Sequence, residues 1–212
     1  MKIMIAIPAQ DLMHTGFVQS LLGLKIPEGA QIRYGMVMNS LVYEARNALA
    51  AQAVKEECDY VLWLDSDMTF GPDLLNDLLA DDKDIVAGIF FRRRPPFNPC
   101  IYKTLRADRE FPERNAHEQY DDYPKDTLFE VEGVGMAAVL VKIDVFRKIT
   151  LNEYKGHSVA PPFVPLLGYG EDLSFCIRAR EAGCEVWCDS RVKVGHMASV
   201  VVDEKAWEAQ KQ

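Results

Sequence analysis

Residues 59–69 read DYVLWLDSDMT. Val61 to Leu64 form a run with no polar interruption, followed at once by Asp65-Ser66-Asp67. Strict alternation would mark a strand with one wet face. A short continuous apolar run suits a strand covered on both faces, as in a sheet sandwiched between helices. The same pattern lies on either side. KIMIAIP at 2–8 reads as a buried first strand, and Ile32–Met38 as a second. Between them residues 12–24 read as a helix, with Leu12, Val18, Leu21 and Leu22 as core positions. Residues 40–57 form a longer helix, with Ser40 as N-cap and an inward stripe of Leu41, Ala45, Ala48, Leu49, Gln52 and Ala53. Downstream, Pro72–Leu79 is a helix entered through Gly71-Pro72, and Asp84–Phe91 is another buried strand. This β-α-β-α-β-α-β order predicts an α/β fold with a largely parallel sheet and helices on both faces.

Past Phe91 the pattern changes. Residues 92–109 hold six basic side chains and one acid, and residues 110–132 hold eight acids and two bases. Five prolines punctuate the stretch. It reads as a loop-rich insertion at about 92–130 with one strand near Cys100–Lys103. Regular structure resumes at Leu128–Val131, Ala137–Lys142 and a short helix at Ile143–Ile149. A Pro-rich loop at 159–170 leads into a helix at Glu171–Ala182, stopped by Gly183. Short strands follow at Glu185–Cys188 and Val192–His196.

The chain has 212 residues and a formal net charge of −8, from 24 basic and 32 acidic side chains. That disfavours a uniformly basic nucleic-acid binder. Its longest uncharged apolar stretch, about 133–141, is far short of the roughly 20 residues of a membrane helix. The start of the chain is too short in apolar residues for a signal peptide. Five cysteines without a CxxC pair read as reduced thiols. The expectation is a cytoplasmic protein without an integral membrane segment.

Three features carry chemistry. Asp65 and Asp67 leave a buried strand two residues apart, where α/β sheets bind ligands. Two such carboxylates suit Mg²⁺ or Mn²⁺; a solvated strand end would look the same. Glu171-Asp172 open a helix after Gly168-Tyr169-Gly170, which fits either a site or simple compensation of the helix dipole. His196 ends an apolar-punctuated strand. Arg92-Arg93-Arg94 could meet an anionic acceptor or a diphosphate, or be a solvated loop. Trp63 and Trp187 read as core, and Tyr169 as a ring able to stack on a sugar or base.

The ordered set, IAIPAQ, then Ala45-Arg46-Asn47, YVLWLDSDM, GYGEDLSFCIRAREAG and a terminal His196, resembles the GT-A glycosyltransferases, especially family 2. The resemblance covers about residues 3–197. It implies a single GT-A (Rossmann-like) domain over 1–212, with a central mixed, mostly parallel sheet flanked by helices. It implies transfer of a sugar from a nucleotide-diphosphate donor of UDP- or GDP-sugar type to an acceptor hydroxyl, with inversion. Asp172 would be the general base, with Glu171 beside it. Asp65, Asp67 and His196 would hold Mn²⁺ or Mg²⁺. Pro8, Ala9, Gln10, Asn39, Arg46, Asp65, Ser66, Gly133 and Gly135 would border the nucleotide sugar. Asn39-Ser40 stand where the family often carries acids after its second strand.

Other readings remain open. LDSDMT at 64–69 also fits the first motif of haloacid-dehalogenase-like phosphatases, with Asp65 as nucleophile and Asp67 as acid. That motif normally ends a domain's first strand, and here about sixty residues precede it. A nucleotidyltransferase, or a non-catalytic sugar-nucleotide domain, would share much of the pattern. The acceptor, whether saccharide, lipid carrier, protein or modified nucleic acid, is not legible.

Overall fold

A computed structural model describes residues 1–154 and 161–199, together with residue 208. Its strands are β1 (Lys2–Ala9), β2 (Gln31–Met38), β3 (Tyr60–Leu64), β4 (Met68–Thr69), β5 (Ile85–Ile89), β6 (Ile101–Arg106), β7 (Ala116–Gln119), β8 (Leu128–Val131), β9 (Gly133–Val134), β10 (Ala138–Lys142), β11 (Val186–Lys193) and β12 (Gly195–His196). The helices are α1 (Thr15–Leu22), α2 (Val42–Lys55), α3 (Leu74–Ala80), α4 (Ile143–Tyr154) and α5 (Glu171–Glu181). Seven strands form one sheet in the order β2-β1-β3-β10-β5-β11-β8. β10 and β8 run against the other five, so the sheet is mixed and mostly parallel.

Period-2 alternation builds a core on each face of this sheet. Ile3, Ile5 and Ile7 of β1 join Leu62 and Leu64 of β3 against Phe17 of α1 and Leu74, Leu75 and Leu78 of α3. Met4 and Ala6 join Val61 and Trp63 on the other face, with Leu49 of α2, Phe146 of α4 and Phe175 of α5. The apolar run in β3 is thus buried on both sides, as its sequence requires. β10 inserts antiparallel between β3 and β5, with Leu140 opposite both Leu62 and Val86.

Several local expectations change. α1 begins at Thr15, so its inward phase runs through Phe17, Leu21 and, just past the helix, Leu24. Leu12 and Leu22 are instead 83% exposed, and Val18 is also on the surface. α2 takes Leu41 as its N-cap. Ser40 sits one residue earlier, with its hydroxyl 3.2 Å from Glu44 Oε2. Trp187 is only partly buried, because its indole donates to Glu185 and Lys83 lies 3.9 Å over its ring. The region 92–130 is more regular than a loop. β6 pairs with both β7 and β9 in a separate three-stranded sheet, and β8 extends the main sheet. The first residues of the 159–170 loop lie outside the described residues.

All five cysteines are free, and all but the partly covered Cys100 are buried. Burial pushes the Cys176 thiol up to about 12 and raises the Cys188 thiol too, so both are poor nucleophiles. Among the described residues no helix is long and apolar enough to cross a membrane.

Two predictions concern the frame. Phe163 and Phe175 stack at 4.6 Å between centroids, both fully buried. Phe175→Ala should therefore cost about 3–5 kcal/mol in urea unfolding. Asp81 is held beside Asp189, and Arg191 bridges the two at 2.8 Å to each. Burial, with the Asp189 charge second, raises Asp81 to about 6. A raised carboxyl binds its proton more tightly when folded. Its contribution is complete below about 4 and is lost as pH rises through 6. The stability difference between wild type and Asp81→Asn should therefore shift in favour of the variant as pH rises over that range. A difference constant from pH 4 to 7 would contradict this.

Candidate active site

The carboxyl ends of β1 and β3 open onto a cleft of about 400 Å³. Because β1 and β3 are neighbours, the loops after them share this crevice. Pro8, Ala9 and Gln10 line it from β1 and its exit. Asp65, Ser66 and Asp67 line it from β3, and Ser40 and Val42 from the start of α2. His14 joins them, with its backbone N–H donating to the Ser66 carbonyl at 3.3 Å. No periodicity marks His14 in the sequence; only the adjacency of β1 and β3 brings it in. Asn39 has a left-handed φ of 55°, which Asn tolerates, and donates to Asp11 Oδ1 at 2.6 Å. It ties the loops after β1 and β2 together behind the cleft.

Arg46 joins the two acidic motifs. α2 carries it beneath the sheet edge, where it is only 2% exposed. Nη2 donates to Asp65 Oδ1 at 2.9 Å, and Nη1 donates to the Met136 carbonyl at 3.1 Å. Nε lies 3.5 Å from Glu171 Oε1. The guanidinium carbon sits 5.7 Å from the centre of the Trp63 ring. One buried cation therefore binds the D-x-D segment to the Glu171-Asp172 pair. Burial raises the Asp65 carboxyl, and Arg46 opposes that rise.

Asp67 faces differently. Its Oδ2 accepts from Arg93 Nη1 at 2.5 Å and lies 3.3 Å from His196 Nε2. His196 is fixed by pairing of β12 with β4 and by a 2.8 Å contact from Nδ1 to the Phe91 carbonyl. Hydrogen bonding to His196 and the charges of His196 and Arg93 hold Asp67 low against the opposing effect of burial. The three residues expected to hold a metal thus divide: Asp67 and His196 meet, while Asp65 turns to Arg46. Among the described residues no group of three His, Cys, Asp or Glu side chains is spaced to hold an ion. The Asp67–His196 pair still fits one. Two neighbouring ligands of a six-coordinate ion, each at about 2.1 Å, stand about 3 Å apart. Water and phosphate oxygens would complete such a shell.

Asp172 lies in the first turn of α5, with Oδ1 accepting from Leu173 N–H at 2.8 Å. Burial, reinforced by the Glu171 charge, pushes it up to about 6. Arg92, Cys100 and Tyr102 all feel its charge, and Arg92 donates to the Tyr102 hydroxyl at 3.0 Å. Cys100 and Tyr102 give no catalytic signal in sequence, because the insertion brings them in from β6 and the residue before it. Gly133 and Gly135 lie off the cleft. A Cβ at Gly133 would fall 2.5 Å from Leu105 Cδ1, and one at Gly135 would fall 2.9 Å from Phe90 Cζ. Close packing accounts for both glycines. Tyr169 is buried, its hydroxyl 2.6 Å from the Arg106 carbonyl and 2.8 Å from that of Ala116. It pins the insertion to the α5 entry and is not free to stack on a sugar.

Comparison with known proteins agrees with this layout. The Anp1 family model matches residues 36–100, from the end of β2 through β3 to the start of the insertion. No curated protein matches the sequence. Among solved structures, A197 from STIV superposes with a TM-score of 0.60 at 16% identity, covering 96% of this chain and 87% of that one. GalNAc-T7, solved with UDP, GalNAc and Mn²⁺, superposes with a TM-score of 0.59 at 10% identity. It covers 94% of this chain, which spans 44% of GalNAc-T7. The chain has the GT-A fold.

Arg46 offers a direct test. Arg46→Met leaves Asp65 half-buried without its cation and should cost about 3 kcal/mol or more in urea unfolding. Adding Asp65→Asn should recover part of that loss, because the unpaired charge is gone. Strictly additive losses would mean that the two side chains do not act as a pair.

Proposed function

We propose that the chain is a glycosyltransferase that moves a sugar from a UDP- or GDP-type donor to an acceptor hydroxyl, with inversion. The observation that carries this reading is the Arg46 link. It joins Asp65, which lines the cleft beside Asp67, to Glu171, the neighbour of the candidate base Asp172. The fold and the Anp1 match support the same reading. GalNAc-T7 carries UDP and Mn²⁺ on this fold at low identity.

In this reading the nucleoside lies against Pro8, Ala9, Gln10 and Ser66. Asp67 and His196 would hold Mn²⁺ or Mg²⁺, which would supply Lewis-acid stabilisation of the leaving diphosphate. Asp65 positions Arg46 and borders the donor. Asp172 accepts the proton of the attacking hydroxyl, a weak nucleophile that needs a base within hydrogen-bond reach. Burial equips it for this role, since a carboxylate near 6 is a stronger base than one near 4 and is still ionised at neutral pH. Glu171 adds negative charge beside it and anchors to Arg46. Gly133 and Gly135 serve packing around the site. The domain is one unit from 1 to 212, with the insertion forming the acceptor side. The phosphatase alternative fits less well, because Asp65 Oδ1 is engaged by Arg46 and β3 is a central third strand.

Asp172→Asn should lower transfer about 10²–10⁴-fold while donor affinity, measured by calorimetry, stays within a few-fold. Below about 6 the Asp172 carboxyl is protonated and cannot accept a proton. Wild-type turnover should therefore fall as pH drops through 6, and the residual rate of the variant should lack that limb. Equal loss of donor binding and turnover would make Asp172 a donor ligand instead.

A further inference from the structure

One oxygen, Asp67 Oδ2, serves two nitrogen partners: Arg93 Nη1 at 2.5 Å and His196 Nε2 at 3.3 Å. Asp67 and His196 are mostly covered, whereas Arg93 is 54% exposed and lines the cleft. The backbone on either side of Arg93 is fixed, since Arg92 N–H donates to the Asn98 carbonyl and Phe97 N–H to the Arg94 carbonyl. The exposed Arg93 side chain is thus the partner with room to move. A divalent ion on Oδ2 would sit about 2.1 Å from that oxygen, and Arg93 Nη1 already lies 2.5 Å from it. The two cations would also repel at such a range. The two cations therefore compete for Asp67.

We infer that Arg93 is a stand-in cation and a specificity residue for the diphosphate. In the donor-free protein it neutralises Asp67 and keeps it aligned with His196. When a divalent ion arrives with a nucleoside diphosphate, Arg93 leaves Asp67 and turns within the same cleft to the phosphate oxygens. Its planar fork matches phosphate geometry. This inference rests on the glycosyltransferase reading and adds an ordering to it: ion and nucleotide bind together more readily than the ion alone.

The test uses calorimetry on the full chain, with Mn²⁺ alone and then with UDP or GDP at saturating Mn²⁺. Arg93→Ala should bind Mn²⁺ alone about fivefold more tightly, the scale of one half-exposed charge contact. It should bind the nucleotide about tenfold more weakly. Arg94 is the control. It is exposed, and its side chain makes no hydrogen bond or ion pair among the described residues. Arg94→Ala removes the same charge next door and should move neither constant by more than about twofold. The opposite signs for Arg93→Ala are the signature. Equal effects of the two variants, or an Arg93→Ala effect of one sign in both titrations, would overturn the inference and leave the glycosyltransferase reading standing. A wild-type chain that binds Mn²⁺ with neither nucleotide would overturn both.

Discussion

Arg46 carries a full positive charge into the interior, and its surroundings are arranged to meet that charge. A buried guanidinium is costly unless its donors are paired. Here Asp65, the Met136 carbonyl and Glu171 surround it from three different elements, and the Trp63 ring faces it. β3, the turn before β10 and the first turn of α5 all converge on it, although Nε meets Glu171 only as a 3.5 Å ion pair without a hydrogen bond. Asp65 N–H adds a further tie to the Ala137 carbonyl. The site's geometry thus follows from solvating one cation. The D-x-D motif and the acidic pair, more than a hundred residues apart in sequence, become neighbours because both answer to Arg46.

The same economy explains the polarised insertion. Its charges mostly meet partners nearby. Lys103 pairs with Glu118, Arg114 with Asp108, and Arg109 with Glu181 of α5. Arg180 of α5 holds Glu132 at 2.9 Å. The last two pairs tie the insertion and its flank to α5, the helix whose first turn carries Asp172. What stays turned to the cleft is the start of the basic run, with Arg92 at Tyr102 and Arg93 at Asp67. The insertion thus ties to the helix that carries Asp172 and lends an arginine to the cleft.

The sequence made the frame legible wherever local pattern and global burial agree. The run VLWL is buried on both faces, and the acids that end it sit at the mouth of the cleft. α1 was harder. Its apolar residues recur at more than one phase, and only the start at Thr15 decides that Phe17, not Leu12 or Val18, faces the core. The insertion was only partly legible, for a different reason. A strand expected near Cys100–Lys103 is β6, but β7, AHEQ, is mostly exposed and has no apolar alternation to announce it. In the candidate site, residue types pointed to Asp65, Asp67, Asp172 and His196. Their division of labour did not show, because Asp65 and Asp67 are two residues apart yet face different cations. Tyr169 looked like a stacking ring, and its hydroxyl is instead a buried clasp between two carbonyls.

The central claim is that this cleft activates a nucleotide sugar. The most direct measurement incubates the chain with Mn²⁺ and a panel of UDP- and GDP-sugars and follows release of the nucleoside diphosphate. Slow hydrolysis of one donor, absent without the ion and without action on a generic phosphate ester, is the predicted result. Turnover of the phosphate ester with no donor hydrolysed would contradict the account and point to Asp65 as a phosphatase nucleophile.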